Sequence, residues 1–177
     1  IGYGTRNHYV ANSKEEADAF LKDKKDYLIL EYLSGKEFTI DCFTDKKGKL
    51  LFVNGRERSR ISNGISTNIK ITNNKIFKTI AEKINNKIKF KGAWFFQLKE
   101  DKNKNLKLLE VACRIAGSSG ICRYFGVNLP ELSILNEIYN DLKIQKNNFD
   151  LETDRSLKTK SKTNLKFKYV YIEIGRA

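Results

Sequence analysis

Two hydrophobic periods divide this chain. At Ile76, Phe77, Ile80, Ala81, Ile84 and Ile88, apolar residues recur every three or four positions, which predicts one buried face on a helix starting near Asn73. Elsewhere β-branched and aromatic residues cluster in short runs. Asp26–Leu33 and Glu37–Thr44 read as strands, and Asp45-Lys46-Lys47-Gly48-Lys49 reads as the turn into a third, Leu50–Val53. Gly92–Leu98 and Leu106–Val111 flank a polar turn over Glu100–Asn105, so a hairpin is expected in which Gln97 and Glu110 face one cleft. Ser13 followed three residues later by Glu16 is a capping box opening a helix to about Lys22, with a short strand before it. Pro130 suits the first turn of a further helix, whose buried face is read as Leu132, Leu135, Ile138, Tyr139 and Leu142. Strand-like pieces return at Asn148–Glu152 and Leu165–Ile174. This order predicts an α+β fold with an antiparallel sheet and packed helices. Residues 1–145 form the expected domain, and residues 146–177 a C-terminal extension with a lysine-rich linker.

Composition narrows the classes. At 177 residues, 40% of them hydrophobic, the chain can bury one core, and no apolar run approaches the ~20 residues that span a bilayer. Cys42, Cys113 and Cys122 are odd in number and irregularly spaced, which suggests neither a disulfide framework nor a zinc site and fits a reducing cytoplasm. Cys113 is read as a small buried side chain. A formal charge of +13 invites a nucleic-acid reading. The lysines are scattered over helices and turns, however, and the densest run, Lys158–Lys162, reads as a solvated linker. Arginine is scarcer, 8 residues against 26 lysines. Arg56, Arg58 and Arg60 alternate in a strand-like stretch and are therefore expected on one face, a cluster suited to phosphate or carboxylate.

Several segments together resemble the ATP-grasp superfamily, in particular the carbamoyl-phosphate synthetase large-chain type. Gly2-Tyr3-Gly4-Thr5-Arg6 resembles its glycine-rich loop, in which Gly2, Gly4, Thr5 and Arg6 would close over phosphates. Leu30-Glu31-Tyr32-Leu33 is similar to the hinge where Glu31, Tyr32 and Leu33 meet adenine. Glu37 matches the carboxylate that accepts from the ribose hydroxyls, and Gly64-Ile65-Ser66 falls where a segment lies beside ribose and phosphates. Gln97 and Glu110 resemble the oxygen ligands of magnesium, and Arg114, with Arg58, would neutralise the transferring phosphoryl group. Ala112 stands where the superfamily commonly has a metal-binding asparagine.

The resemblance covers roughly Gly2–Leu142 and implies the C-terminal portion of the fold, with an internal fragment expected because the chain begins inside the glycine-rich loop. It implies ATP, Mg2+ with Mn2+ as an alternative ion, and a small carboxylate substrate, in a carboxylate-amine ligase that passes through an acyl-phosphate. Two other readings stand beside it: a catalytically incomplete nucleotide-binding module, and, ranked last, a basic nucleic-acid-binding domain. A homo-oligomer is an open option. Lys168–Gly175 resembles the first strand of haloacid dehalogenase-like phosphatases, but Glu173 replaces the nucleophilic aspartate, so a plain terminal strand is expected.

Overall fold

The computed structural model describes residues 9–24, 27–62, 64–72, 74–144, 151–154 and 159–161. Among the described residues, seven strands form one sheet: β1 (Glu37–Thr44), β2 (Leu50–Ser62), β3 (Ile65–Thr72), β4 (Gly92–Glu100), β5 (Leu106–Ala112), β6 (Leu151–Asp154) and β7 (Thr159–Ser161). Their order is β5-β4-β1-β2-β3-β6-β7, and every pairing is antiparallel. Helix α1 (Lys14–Leu21) precedes the sheet, α2 (Lys75–Ile88) connects β3 to β4, and a 3-10 helix (Ser119–Phe125) and α3 (Leu129–Ile138) follow β5.

The alternation within the central strands sends side chains to two cores. On one face Phe38, Ile40, Trp94, Phe96 and Leu98 pack beneath Phe77 and Ala81 of α2. Gly55 makes this approach possible, since a Cβ there would lie 2.4 Å from the Phe77 ring. On the other face Phe43, Phe52, Ile69 and Ile71 pack against Ile121, Phe125 and Leu129. The two buried helix asparagines hold the same turn from both sides. Asn85 of α2 donates to the Gly48 carbonyl at 2.9 Å, and Asn136 of α3 accepts from the Lys46 N–H at 3.0 Å. That turn closes one end of the sheet and leaves the opposite end of β1, where Glu37 stands, for the candidate site.

The two hairpin turns are copies of one another. Asp45 Oδ1 accepts from the N–H groups of Lys47 and Lys49, and Asp101 Oδ1 from those of Asn103 and Asn105, all between 2.8 and 2.9 Å. Burial works against the Asp101 carboxylate, but these bonds, the Asn105 side chain and Lys107 outweigh it and hold its pKa below the ordinary value. At the equivalent left-handed position one turn has Gly48 (φ 88°) and the other Lys104 (φ 63°). A Cβ is disfavoured in that region. Lys104→Gly relieves about 1–2 kcal/mol of left-handed strain and gives back about 0.4–1 kcal/mol in unfolded-chain entropy, so a net stabilisation of about 0.5–1 kcal/mol is expected, read as a raised midpoint in thermal unfolding; an unchanged or lower midpoint would refute this.

Several expectations change. Ser13 caps α1 by accepting from the Glu16 N–H at 3.2 Å, whereas Glu16 reaches back to Asn12 rather than to Ser13. No residue of α1 is buried. Tyr27–Ser34 forms no strand, and Leu28, Ile29 and Leu30 are 86%, 77% and 80% exposed. Strand propensity measures fit to a pleated partner, and no strand among the described residues pairs with this segment. In α3 the buried residues are Leu129 and Asn136, while the helix ends at Ile138, which is exposed like Tyr139. Thr159–Ser161, read as linker, is a strand paired with β6, and β6 pairs with β3 in the same sheet. Residues 165–174 lie outside the described residues.

Candidate functional site

The register of the central strands brings the predicted side chains together. Glu37 is opposite Lys99, Thr39 opposite both Arg56 and Gln97, and Gln97 opposite Glu110. Directly opposed residues share a face, so Glu37, Gln97, Lys99 and Glu110 project from the side opposite α2. Beyond Phe38↔Glu57 the same alternation puts Arg58 beside Glu37.

Arg58 is the hub of this surface. Its side chain is only 6% exposed. Nη1 donates to Glu37 Oε1 and, at 3.2 Å, to Gln97 Oε1, while Nη2 donates to the Gly64 carbonyl at 2.6 Å. Nε is buried and has no partner among the described residues. Burial lowers the Arg58 pKa from its ordinary value; the charges of Glu37 and Glu110 push the other way. Lys99 Nζ lies 3.5 Å from Glu37 Oε2. Three residues assigned from different segments, Glu37, Gly64 and Gln97, thus meet on one guanidinium. An open cleft begins here, lined by Ser34, Gly35, Glu37, Arg58, Ile61 and Lys99 among others.

Glu110 is exposed at the outer strand and pairs with Arg114 at 3.8 Å. The Arg114 guanidinium lies over the Phe95 ring, 4.8 Å from its centroid, in the bend just after β5. Stacking on an aromatic face orients the group while leaving it accessible to an anion. Ala112 shares the face of Glu110 and offers no oxygen there. Gln97 and Glu110 supply one amide and one carboxylate oxygen, donors that suit magnesium when phosphates and water complete an octahedral shell. Among the described residues, no group of three or more His, Cys, Asp and Glu is arranged to hold a metal ion.

The three arginines do not form one cluster. Arg56 is 1% exposed and makes a two-pronged ion pair with Asp41, at 2.9 Å from Nε and 3.0 Å from Nη2. Ser119 and Cys122 of the 3-10 helix also donate to that carboxylate, the thiol at 3.6 Å. Arg56 therefore ties the sheet to the 3-10 helix. Register breaks between Arg58 and Arg60 and again before Ile61 turn Arg60 outward, where its Nε donates to Thr67 Oγ1 at 3.1 Å. Cys113 is exposed, against the expectation of burial. Ser66 is buried and spends its hydroxyl on the Asn68 carbonyl at 3.2 Å, while Ile65 is exposed. Glu31 and Tyr32 are exposed and Leu33 half-buried; none lines the cleft, although Lys107 reaches Glu31 at 3.6 Å, and Gln97, Glu110 and Arg114, expected in one cleft, share its sheet face without lining it. Gly2, Gly4, Thr5 and Arg6 lie outside the described residues. Sequence reasoning missed Lys99, whose signal was its place two residues beyond Gln97 on the same strand face. It also missed the Asp41–Ser119 link, which no local spacing reveals.

Among the described residues, no helix is long and apolar enough to cross a membrane. No curated protein matches the chain in sequence. Solved structures do match in fold. The complex of biotin carboxylase with β-γ-ATP from Campylobacter jejuni superposes with a TM-score of 0.59 at 18% identity, over 69% of this chain and 30% of that one. The biotin carboxylase domain dimer of Hydrogenobacter thermophilus 2-oxoglutarate carboxylase, in complex with MgADP, ADP and bicarbonate, gives 0.59 at 15% identity, over 68% and 30%. N5-carboxyaminoimidazole synthetase from Staphylococcus aureus, complexed with ADP, gives 0.51 at 21% identity, over 62% and 31%. This chain thus spans about 30% of the length of those structures. The family profile described as "ATP-grasp in the biosynthetic pathway with Ter operon" matches residues 23–161, a span containing the whole face that carries Glu37, Arg58, Gln97 and Glu110. Because that profile covers well over half of the sequence, the chain belongs to this ATP-grasp family.

Proposed function

We propose that this chain carries the carboxylate-bearing half of an ATP site in a carboxylate-amine ligase. The observation that supports the reading best is the direct register of Gln97 with Glu110, beside Glu37 and Arg58 on one sheet face. Glu37 would accept the ribose hydroxyls at the mouth of the cleft, with Gly64 and Ile65 alongside. Glu31, Tyr32 and Leu33 would meet the adenine edge, and Gly2, Gly4, Thr5 and Arg6 would cover the phosphates. Ser66 fits least well, since its hydroxyl is already used within the backbone.

In the reaction implied, a carboxylate oxygen of the substrate attacks the γ-phosphorus of ATP, the bond to the β-phosphate oxygen breaks, and ADP leaves. An amine then displaces phosphate from the resulting acyl-phosphate. Catalysis of this kind rests on alignment and charge neutralisation. Arg114, exposed and oriented by Phe95, would neutralise the transferring phosphoryl oxygens, and Arg58 would contribute from the sheet. Gln97 and Glu110 would hold Mg2+, which would supply positive charge to neutralise the phosphates. Mn2+ has the same preference for oxygen donors. The setting proposed is the cytoplasm, where ATP is abundant.

Ala112 favours a second reading, a module that binds nucleotide without turnover, because the face of Glu110 lacks the further oxygen of an asparagine. One calorimetric titration with a non-hydrolysable ATP analogue tests the shared part. Saturable binding strengthened by Mg2+ is expected, and Glu110→Ala should weaken the Mg2+-dependent component at least about tenfold, the loss of one charge-assisted contact. Equal binding with and without Mg2+, or an unaffected variant, would overturn the assignment of Glu110. Release of phosphate from ATP in the presence of a carboxylate and an amine separates ligase from module.

A further inference from the structure

The Glu37 carboxylate lines the cleft, and the protein fixes its angle there. Its side chain is 14% exposed, and that of Arg58, which grips it, only 6%. Arg58 Nη1 donates to Glu37 Oε1 and, at 3.2 Å, to Gln97 Oε1, while Nη2 donates to the Gly64 carbonyl at 2.6 Å. One planar group therefore joins β1, β4 and the turn between β2 and β3. Lys99 Nζ stands 3.5 Å from the other carboxylate oxygen, Oε2. A guanidinium presents its donors as a rigid fork, so it orients its partner as well as neutralising it. A carboxylate has about four lone-pair positions. Arg58 occupies one on Oε1, which leaves both oxygens able to accept from two further donors side by side, as two adjacent hydroxyls on one ring would be. A glutamate without the fork would have to order its rotatable bonds whenever a ligand arrived, and that cost would fall on the hydroxyl contacts.

We infer that Arg58 is a positioning residue that sets sugar selectivity: its fork fixes the Glu37 carboxylate in the orientation that accepts both hydroxyls of a ribose, so the cleft takes ribonucleotides in preference to 2′-deoxyribonucleotides. This inference rests on the nucleotide-site reading above and concerns only the sugar.

The test is calorimetric titration of the whole chain with ADP and with 2′-deoxy-ADP, read as the ratio of the two dissociation constants. Any contact of Arg58 with phosphate affects both nucleotides alike and cancels in that ratio. The wild-type chain should favour ADP by about tenfold or more, the effect of one hydrogen bond to a charged acceptor. Glu37→Ala should bring the ratio close to one. Arg58→Met and Arg58→Gln, checked for a cooperative melt, should bring it most of the way there although Glu37 is intact. Arg58→Lys keeps the charge but has no fork, so its ratio should fall as well. In the Glu37→Ala background, Arg58→Met should change the ratio no further. The inference alone is overturned if the wild-type preference vanishes in Glu37→Ala but persists in any folded Arg58 variant. Loss of the cooperative melt in all three Arg58 variants would also overturn it, by making the arginine structural. A wild-type ratio near one, or binding of neither nucleotide, would instead sink the assignment of Glu37 to ribose, and the inference with it.

Discussion

Arg56→Met is expected to lower the unfolding free energy by about 3–5 kcal/mol, the usual cost of stripping one partner from a buried ion pair. Asp41 and Arg56 are each 1% exposed, and two hydrogen bonds join them. Without the guanidinium, the Asp41 carboxylate keeps, among the described residues, the Ser119 hydroxyl and the Cys122 thiol. Neither carries a positive charge. The deficit should appear in urea unfolding as a lower midpoint with little change in slope. The double variant Arg56→Met/Asp41→Leu should recover most of the loss, because a buried pair replaced as a unit by apolar residues is often close to neutral. If the double variant is as unstable as Arg56→Met alone, then Arg56 contributes by packing rather than by charge.

Phe77→Ala is the second large loss, about 3–5 kcal/mol for an aromatic side chain removed from a core. Phe77 is 2% exposed, and its ring centre lies 5.3 Å from that of Phe38. It is also the residue that uses the space left by Gly55. Gly55→Ala alone should cost about 1–3 kcal/mol through overpacking, since either the ring or the strand must shift. Combined with Phe77→Ala, however, the added methyl enters the vacated volume. The two costs should therefore sum to more than the double variant shows, as neighbours that share a cavity are not additive. Strictly additive unfolding energies in the four-member cycle would show that α2 settles onto the sheet independently of this contact.

What could be read directly from the sequence follows from how local each cause is. The α2 stripe and the two Asp-initiated turns depend on residues a few positions apart; the turns are present, and the stripe holds over its middle, with Phe77 and Ala81 buried and Ile80 and Ile84 packed beside them, while its ends, Ile76 and Ile88, are exposed. The pairing of Gln97 with Glu110 depends on one hairpin and also on the bulge between Gln97 and Leu98, without which Gln97 would meet Leu109, and no local spacing announced that bulge. By contrast, the fate of the arginine row was set by two register breaks in β2 and by Asp41, fifteen residues earlier. Spacing alone treats Arg56, Arg58 and Arg60 alike; their partners make one a structural strut, one a site residue and one a surface group. The grip of Asn85 and Asn136 on the β1–β2 turn likewise joins residues 37 and 90 positions apart. The segment from Leu28 to Tyr32 has strand composition but pairs with no strand among the described residues, so its propensity went unused.

That segment also gives the lysine excess a physical role apart from any ligand. A run of exposed apolar residues able to form strands tends to pair with its equivalent on another molecule. A net charge of +13 makes two such molecules repel before these short stretches touch. The repulsion reaches only about 10 Å at 0.1 M salt, so the chain's colloidal behaviour is tied to ionic strength: dilute salt keeps the copies apart, and concentrated salt lets Leu28–Tyr32 find itself.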